Sequence, residues 1–78
     1  MSANETGPGD GEIGLVVNGK ERRAPEGVTV RELLESLDLQ PELVVVERNR
    51  EILSRDDYAE TRLREGDTLE LVHFVGGG

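Results

Sequence analysis

Hydrophobic residues recur at every second position near the start of the chain, and this spacing predicts a β-strand. Ile13, Leu15 and Val17 form the run, and an Asn-Gly pair follows at residues 18–19. Both residues of such a pair tolerate the positive φ angles of a type I′ turn, so the sequence predicts a hairpin. The return strand, residues 20–24, consists of KERRA. A strand with so many charges belongs at the edge of a sheet.

The spacing then changes to that of an amphipathic helix. Thr29 and Glu32 form a capping box, in which the threonine hydroxyl and the glutamate carboxylate bind each other's backbone amides. A turn at residues 25–27 precedes it, and Pro41 requires the helix to have ended. We therefore expect a helix of two to three turns with one apolar stripe: Val30, Leu33, Leu34 and Leu37.

The second half of the chain predicts three more strands, at residues 43–47, 51–53 and 68–75. Asn49 and Arg50 would form a tight turn between the first two of them. The polar segment before the last strand should be irregular, with Tyr58 as its hydrophobic anchor and a turn around Gly66.

The predicted order is ββαβββ, with the helix connecting the second and third strands. One helix packed across a mixed sheet of four to five strands is an α+β fold with two layers. Residues 1–11 are small, polar and rich in glycine, which predicts a disordered leader. The predicted domain covers residues 12–75, and residues 76–78 form a flexible Gly-Gly-Gly tail.

Composition excludes several classes of function. The net charge of −8 disfavours nucleic acids and anionic membranes as partners, and one Phe, one Tyr and no Trp provide little for base stacking. The absence of cysteine removes disulfides, cysteine metal sites and thiol catalysis. His73 is the single histidine, so no metal site is predicted. The first residues do not form a signal peptide, and no apolar stretch could span a membrane, so we expect a cytoplasmic protein.

The last predicted strand leads directly into the glycines. Strict alternation divides its side chains between two faces: Leu69, Leu71, His73 and Val75 on one, and Thr68, Glu70, Val72 and Phe74 on the other. If Leu69 and Leu71 are buried, Phe74 is exposed beside the tail, as a docking surface requires. We therefore predict that His73 faces solvent and that His73, Phe74 and Val75 contribute to a partner interface. The acidic residues of the preceding loops are expected to be solvated: Asp56, Asp57, Glu65 and Asp67.

Several short motifs, in this order, carry a family resemblance. They are VNG at residues 17–19, TVRELL at 29–34, VERN at 46–49 with EI at 51–52, GD at 66–67 and VHFVGGG at 72–78. With them the chain resembles β-grasp, ubiquitin-like proteins of the ThiS/MoaD family, and more closely the ThiS-type sulfur carriers of thiamine (thiazole) biosynthesis.

The resemblance implies a chemistry for the C-terminal glycine. A partner similar to E1 enzymes, a ThiF-like adenylyltransferase, would use ATP and Mg to adenylate the carboxylate of Gly78. A sulfur donor such as a cysteine desulfurase would convert it to a thiocarboxylate, and a ThiG-like thiazole synthase would take the sulfur. Gly76 and Gly77 would thread the partner's narrow channel. The carrier would bind no cofactor and would be a co-substrate rather than an enzyme.

Three alternatives remain open at the level of the sequence. The same activation could supply sulfur to molybdopterin or tRNA thiolation. The chain could be a ubiquitin-like modifier joined to lysines, which needs no thiocarboxylate. It could also be a plain β-grasp binding domain, in which case deletion of Gly77 and Gly78 would change nothing.

Overall fold

The computed structural model describes residues 11–74. These residues form five strands and one α-helix: β1 Glu12–Val17, β2 Lys20–Pro25, α1 Val30–Ser36, β3 Val44–Arg48, β4 Glu51–Ile52 and β5 Thr68–His73. The sheet has the order β2-β1-β5-β3-β4, in which β1 and β5 are parallel and the other neighbours are antiparallel. The predicted mixed sheet with one helix is confirmed. No helix within residues 11–74 is long and apolar enough to cross a membrane.

Both predicted tight turns are present. Asn18 and Gly19 have φ angles of 50° and 81°, and they join β1 to β2 with Val17 opposite Lys20. Two residues with positive φ values also form the turn between β3 and β4, at Asn49 and Arg50. Left-handed φ values at both central positions match the twist of the flanking strands, which explains the tight connections.

The helix is capped at both ends by hydrogen bonds to its backbone groups. The Thr29 hydroxyl accepts from the Glu32 amide at 3.1 Å, and the Glu32 carboxylate accepts from the Thr29 amide at 3.0 Å, so the predicted capping box is confirmed. At the other end Asp38 adopts φ 62°, and the Leu39 amide donates to the Leu34 carbonyl at 3.0 Å. This left-handed residue stops a helix of only seven residues.

The core lies between α1 and one face of the sheet. Tyr58 enters it from the loop after β4, and its hydroxyl donates to the Val44 carbonyl at 2.8 Å and accepts from the Val46 amide at 3.1 Å. The predicted anchoring role of Tyr58 is therefore confirmed. The other buried apolar side chains are Ile13, Leu15, Val17, Ala24, Val28, Val30, Leu33, Leu34, Val44, Val46, Leu63 and Leu69.

Several predicted boundaries were wrong. β2 continues to Pro25 and β3 to Arg48, whereas β4 ends at Ile52 and β5 at His73. β3 begins at Val44 rather than at Leu43, because Leu43 ends a 3₁₀ helix, Pro41–Leu43, whose first residue has the fixed φ that suits such a turn. A second 3₁₀ helix, Arg55–Asp57, lies in the loop that was expected to be irregular. The Ser54 hydroxyl caps it by accepting from the Asp56 amide at 3.3 Å.

Candidate functional site

β5 is the central strand of the sheet, and it carries the chain to its C-terminal residues. It pairs with β1 on one side and with β3 on the other, and the Phe74 amide donates to the Leu43 carbonyl at 2.8 Å just beyond its last residue. The chain is therefore held by hydrogen bonds up to Phe74. Val75, Gly76, Gly77 and Gly78 lie outside the described residues, and their predicted roles stay predictions.

An apolar patch covers part of the sheet face that points away from the helix. We call it the outer patch and define it as Val45, Ile52, Val72 and Phe74. Val45 lies opposite Val72 in the pairing of β3 with β5, and Phe74 follows Val72 on the same face. The exposed fractions of Ile52, Val72 and Phe74 are 72%, 52% and 50%. The predicted exposure of Phe74 is confirmed, and large exposed apolar side chains in one place mark an interaction surface.

Two carboxylates accompany the outer patch. Glu47 and Glu70 lie directly opposite each other on the same face of β3 and β5, and Ile52 lies on the other side of Glu47. Like charges in such a pair repel each other. The surface is therefore suited to a partner that combines apolar contacts with a positive charge.

His73 lies on the opposite face of the sheet from Phe74, because neighbouring strand residues alternate between the faces. It pairs with Val44 across the strands and is exposed to solvent, as predicted. The two residues therefore do not share one surface, and a single flat partner could not cover both. Their role in an interface stays a prediction.

The loop before β5 is fixed by Asp67, which is only 6% exposed. Its carboxylate accepts from Arg48 Nε at 2.9 Å, from Asn49 Nδ2 at 3.1 Å and from the Arg64 amide at 2.8 Å. The Asn49 side chain also accepts from the Thr68 amide at 3.0 Å. These contacts join the end of β3 to the start of β5.

The prediction that Asp67 is solvated was wrong, whereas Asp56, Asp57 and Glu65 are exposed as expected. Burial acts to raise the pKa of the Asp67 carboxyl, but the bonds from Arg64, Asn49 and Arg48 outweigh it and leave that pKa below its usual value. The sequence could not show this, because two of the three partners of Asp67, Arg48 and Asn49, lie nearly twenty residues away in the chain.

Asn18 connects the first hairpin to the same central strand. The backbone amide of Asn18 donates to the Leu69 carbonyl at 2.9 Å, and its side-chain Oδ1 accepts from the Leu71 backbone amide at 2.7 Å. The sequence identified Asn18 as a turn residue but gave no sign of this second role. Within residues 11–74, no three acidic or histidine side chains are placed to hold a metal ion.

A comparison with protein families identifies the chain. The model of the ThiS family matches residues 15–78, which is most of the sequence. The chain belongs to the ThiS family. Its fold agrees with a crystal structure of the thiamine biosynthesis protein ThiS from Geobacter metallireducens, with a TM-score of 0.72 and 40% sequence identity. That match covers 85% of this chain and 100% of the other. The family and the β-grasp fold implied by the sequence are thus confirmed.

Two kinds of relative match this ThiS-family chain. It is 43% identical over 65 residues to the sulfur carrier protein ThiS of Bacillus subtilis, covering 82% of this chain and 98% of the relative. It is also 45% identical over 64 residues to a thiazole synthase of Paramagnetospirillum magneticum. The match covers 82% of this chain, which spans only 20% of that thiazole synthase.

Proposed function

We propose that this ThiS-family chain is a sulfur carrier for thiamine thiazole synthesis and acts as a protein co-substrate rather than as an enzyme. The observation that carries the proposal is the course of β5. This central strand is held on both sides and leads through the exposed Phe74 to the Gly-Gly-Gly sequence. The sheet therefore holds β5 in place directly before the residues that a partner would bind and modify.

The group that reacts is the carboxylate of Gly78. A carboxylate is a poor electrophile, so an E1-like, ThiF-like adenylyltransferase joins it to AMP, using ATP and Mg and releasing pyrophosphate. The terminal sulfur of a persulfide, supplied by a donor such as a cysteine desulfurase, displaces AMP. A thiol then cleaves the resulting acyl disulfide and leaves a thiocarboxylate. No side chain of the carrier has to provide an acid, a base or a nucleophile for these steps.

Gly76 and Gly77 allow Gly78 to enter the partner's active site through a narrow channel. Glycine lacks Cβ and adopts backbone conformations that other residues reach only with strain, so it suits a narrow channel. Glycines have no side chains to contribute binding affinity, so the outer patch provides the affinity for the partner. Two of its exposed apolar side chains, Val72 and Phe74, lie at the point where β5 ends.

The acceptor of the sulfur is a ThiG-like thiazole synthase. The 45% identity between this chain and a segment of a protein named thiazole synthase supports that choice over other acceptors. The match to a sulfur carrier along nearly that protein's whole length supports the role of carrier itself.

Removal of Gly78 tests the proposal. The chain without Gly78, and the Gly78→Pro variant, should fold normally but fail to support pyrophosphate release by the adenylyltransferase with ATP and Mg. Gly11→Ala serves as the control, because it changes a glycine at the opposite end of the described domain. Normal adenylation of either Gly78 variant would refute the assignment. Isopeptide-linked adducts on other proteins, without a thiocarboxylate, would identify a protein modifier instead.

A further inference from the structure

The helix is too short to cover the sheet. Seven helical residues span about 10 Å, whereas the six-residue strands beneath them extend for roughly 20 Å. A groove of about 410 Å³ lies on the helix side of the sheet, next to the residues that follow the helix. This groove is on the opposite face from the outer patch.

The side chains of this groove combine leucines with basic groups. We call it the basic groove and define it by six of the residues that line it: Lys20, Arg22, Leu37, Leu39, Leu71 and His73. Among the described residues, no acidic side chain lines it, although the chain has 17 acidic residues against 9 lysines and arginines. Within residues 11–74, neither Lys20 nor Arg22 takes part in an ion pair.

The backbone holds the two sides of the groove in place. Lys20 lies opposite Val17 and Arg22 lies opposite Leu15, and both partners are core residues, so these basic side chains belong to the helix side of the sheet. The bond from the Leu71 amide to Asn18 Oδ1, at 2.7 Å, ties the hairpin to β5. The backbone positions that carry the basic side chains and Leu71 therefore keep a fixed separation, so binding would have to order side chains only.

We propose that the basic groove binds an acidic segment of a protein partner, with an aliphatic side chain against the leucines and carboxylates towards Lys20 and Arg22. Charge complementarity selects this occupant, because a local positive surface on a chain of net charge −8 attracts carboxylates at short range. Nucleic acid fits poorly, since the total charge repels it and the leucines offer no ring for base stacking.

This inference rests on the proposed function, because the acidic segment belongs to the ThiG-like thiazole synthase, the partner that the match to a protein named thiazole synthase favours. The groove and the outer patch lie on opposite faces of β5. The groove is basic, whereas the outer patch is apolar and lies beside Glu47 and Glu70. Along β5 the groove residues Leu71 and His73 alternate with Val72 and Phe74 of the outer patch, so partners on the two faces would contact the same segment.

Charge reversal tests the groove. The Lys20→Glu/Arg22→Glu variant of the full chain is titrated against each purified partner by calorimetry, with Arg50→Glu/Arg55→Glu as the control. The control makes the same change in net charge at exposed positions that do not line the groove. We expect the groove variant to bind the thiazole synthase about tenfold more weakly, with a change below about twofold for the control. Weakened binding to the adenylyltransferase alone would contradict the assigned occupant. The difference should shrink in 1 M salt, which screens charges.

The outcomes separate the two proposals. If the native chain binds both partners and the groove variant binds them as the control does, the groove proposal is overturned and the proposed function stands. Tighter binding by the groove variant also overturns the groove proposal. It would indicate that the groove binds a carboxylate of the same chain, and that the charge reversal releases this contact. A native chain that binds neither protein overturns both proposals. Thermal unfolding of each variant verifies that its fold is intact.

Discussion

Asp67 shows how one side chain can fix the path of the functional strand. Its carboxylate receives hydrogen bonds from Arg48, Asn49 and the Arg64 backbone, all at 3.1 Å or less. A buried carboxylate that lost these partners would be strongly unfavourable, so the charged form and the folded form stabilise each other.

Replacement of Asp67 by Asn should lower the free energy of unfolding at pH 7 by roughly 2 kcal/mol, because hydrogen bonds to a charged acceptor are lost. The effect should depend on pH in a defined direction. The pKa of Asp67 is lower in the folded state than its usual value. Its contribution is therefore complete above the unfolded pKa of about 4 and is lost as the pH falls through that value towards the folded pKa.

Urea unfolding between pH 3 and pH 7 measures this dependence. The native chain should lose stability below about pH 4.5, and the difference between it and the Asp67→Asn variant should narrow there. Asp56→Asn is the matched control, because Asp56 is exposed and its curve should run parallel to that of the native chain. Parallel curves for Asp67→Asn would show that the Asp67 network does not stabilise the fold.

Helix α1 depends on its caps, because a helix of seven residues is unstable without packing and terminal hydrogen bonds. Replacement of Thr29 by Ala removes the hydroxyl that accepts from the Glu32 amide, and we expect a loss of about 1 kcal/mol in the free energy of unfolding. Thr29→Ser keeps the hydroxyl and should recover most of that loss. Chemical unfolding measures both. Equal destabilisation by Ala and Ser would assign the effect to the lost methyl group instead.

The sequence predicted the elements whose signals are local. The capping box at Thr29 and Glu32, the Asn-Gly turn and the apolar stripe of the helix each depend on residues a few positions apart. The order of elements along the chain, ββαβββ, followed from these local signals, and the family resemblance followed from that order. The order of the strands within the sheet was not predicted. The exposed Phe74 could be predicted because alternation along one strand suffices once Leu69 is known to be buried.

Features that depend on distant pairing could not be predicted. The burial of Asp67 requires Arg48 and Asn49 to lie beside it, and the second role of Asn18 requires β5 to run next to β1. The basic groove is a similar case. From the sequence, Lys20 and Arg22 are simply charged residues of a predicted edge strand. The register of β1 and β2 places them on the helix side of the sheet, near leucines from two other segments.

At the scale of the whole molecule, the strand that precedes the C-terminal glycines separates two unlike surfaces. The outer patch is apolar and lies beside the Glu47–Glu70 pair. The basic groove on the other face has no acidic lining residue in the part of the chain that the structure describes. A carrier that is loaded by one protein and unloaded by another needs surfaces that both can bind. The small domain provides two candidates within a few residues of Gly78, the proposed site of modification.

The outer patch predicts a binding defect without a folding defect. Val72→Ser/Phe74→Ser should weaken binding to the adenylyltransferase by about tenfold, because side chains at the centre of an interface contribute most of the affinity. Both residues are about half exposed, so the stability of the domain should change little. Calorimetric titration measures the affinity, with the exposed Ala59→Ser as control. Unchanged affinity would remove the outer patch from that interface.

The measurement that tests the central claim most directly is the intact mass of the protein, purified from its own cells grown with ample sulfur and without thiamine. We predict a species in which one oxygen is replaced by one sulfur, located on the C-terminal peptide that ends at Gly78. Because thiocarboxylates hydrolyse, the same measurement follows reconstitution with the adenylyltransferase, a sulfur donor, a thiol, ATP and Mg. An unmodified carboxylate in both preparations would contradict the account of this chain as a sulfur carrier.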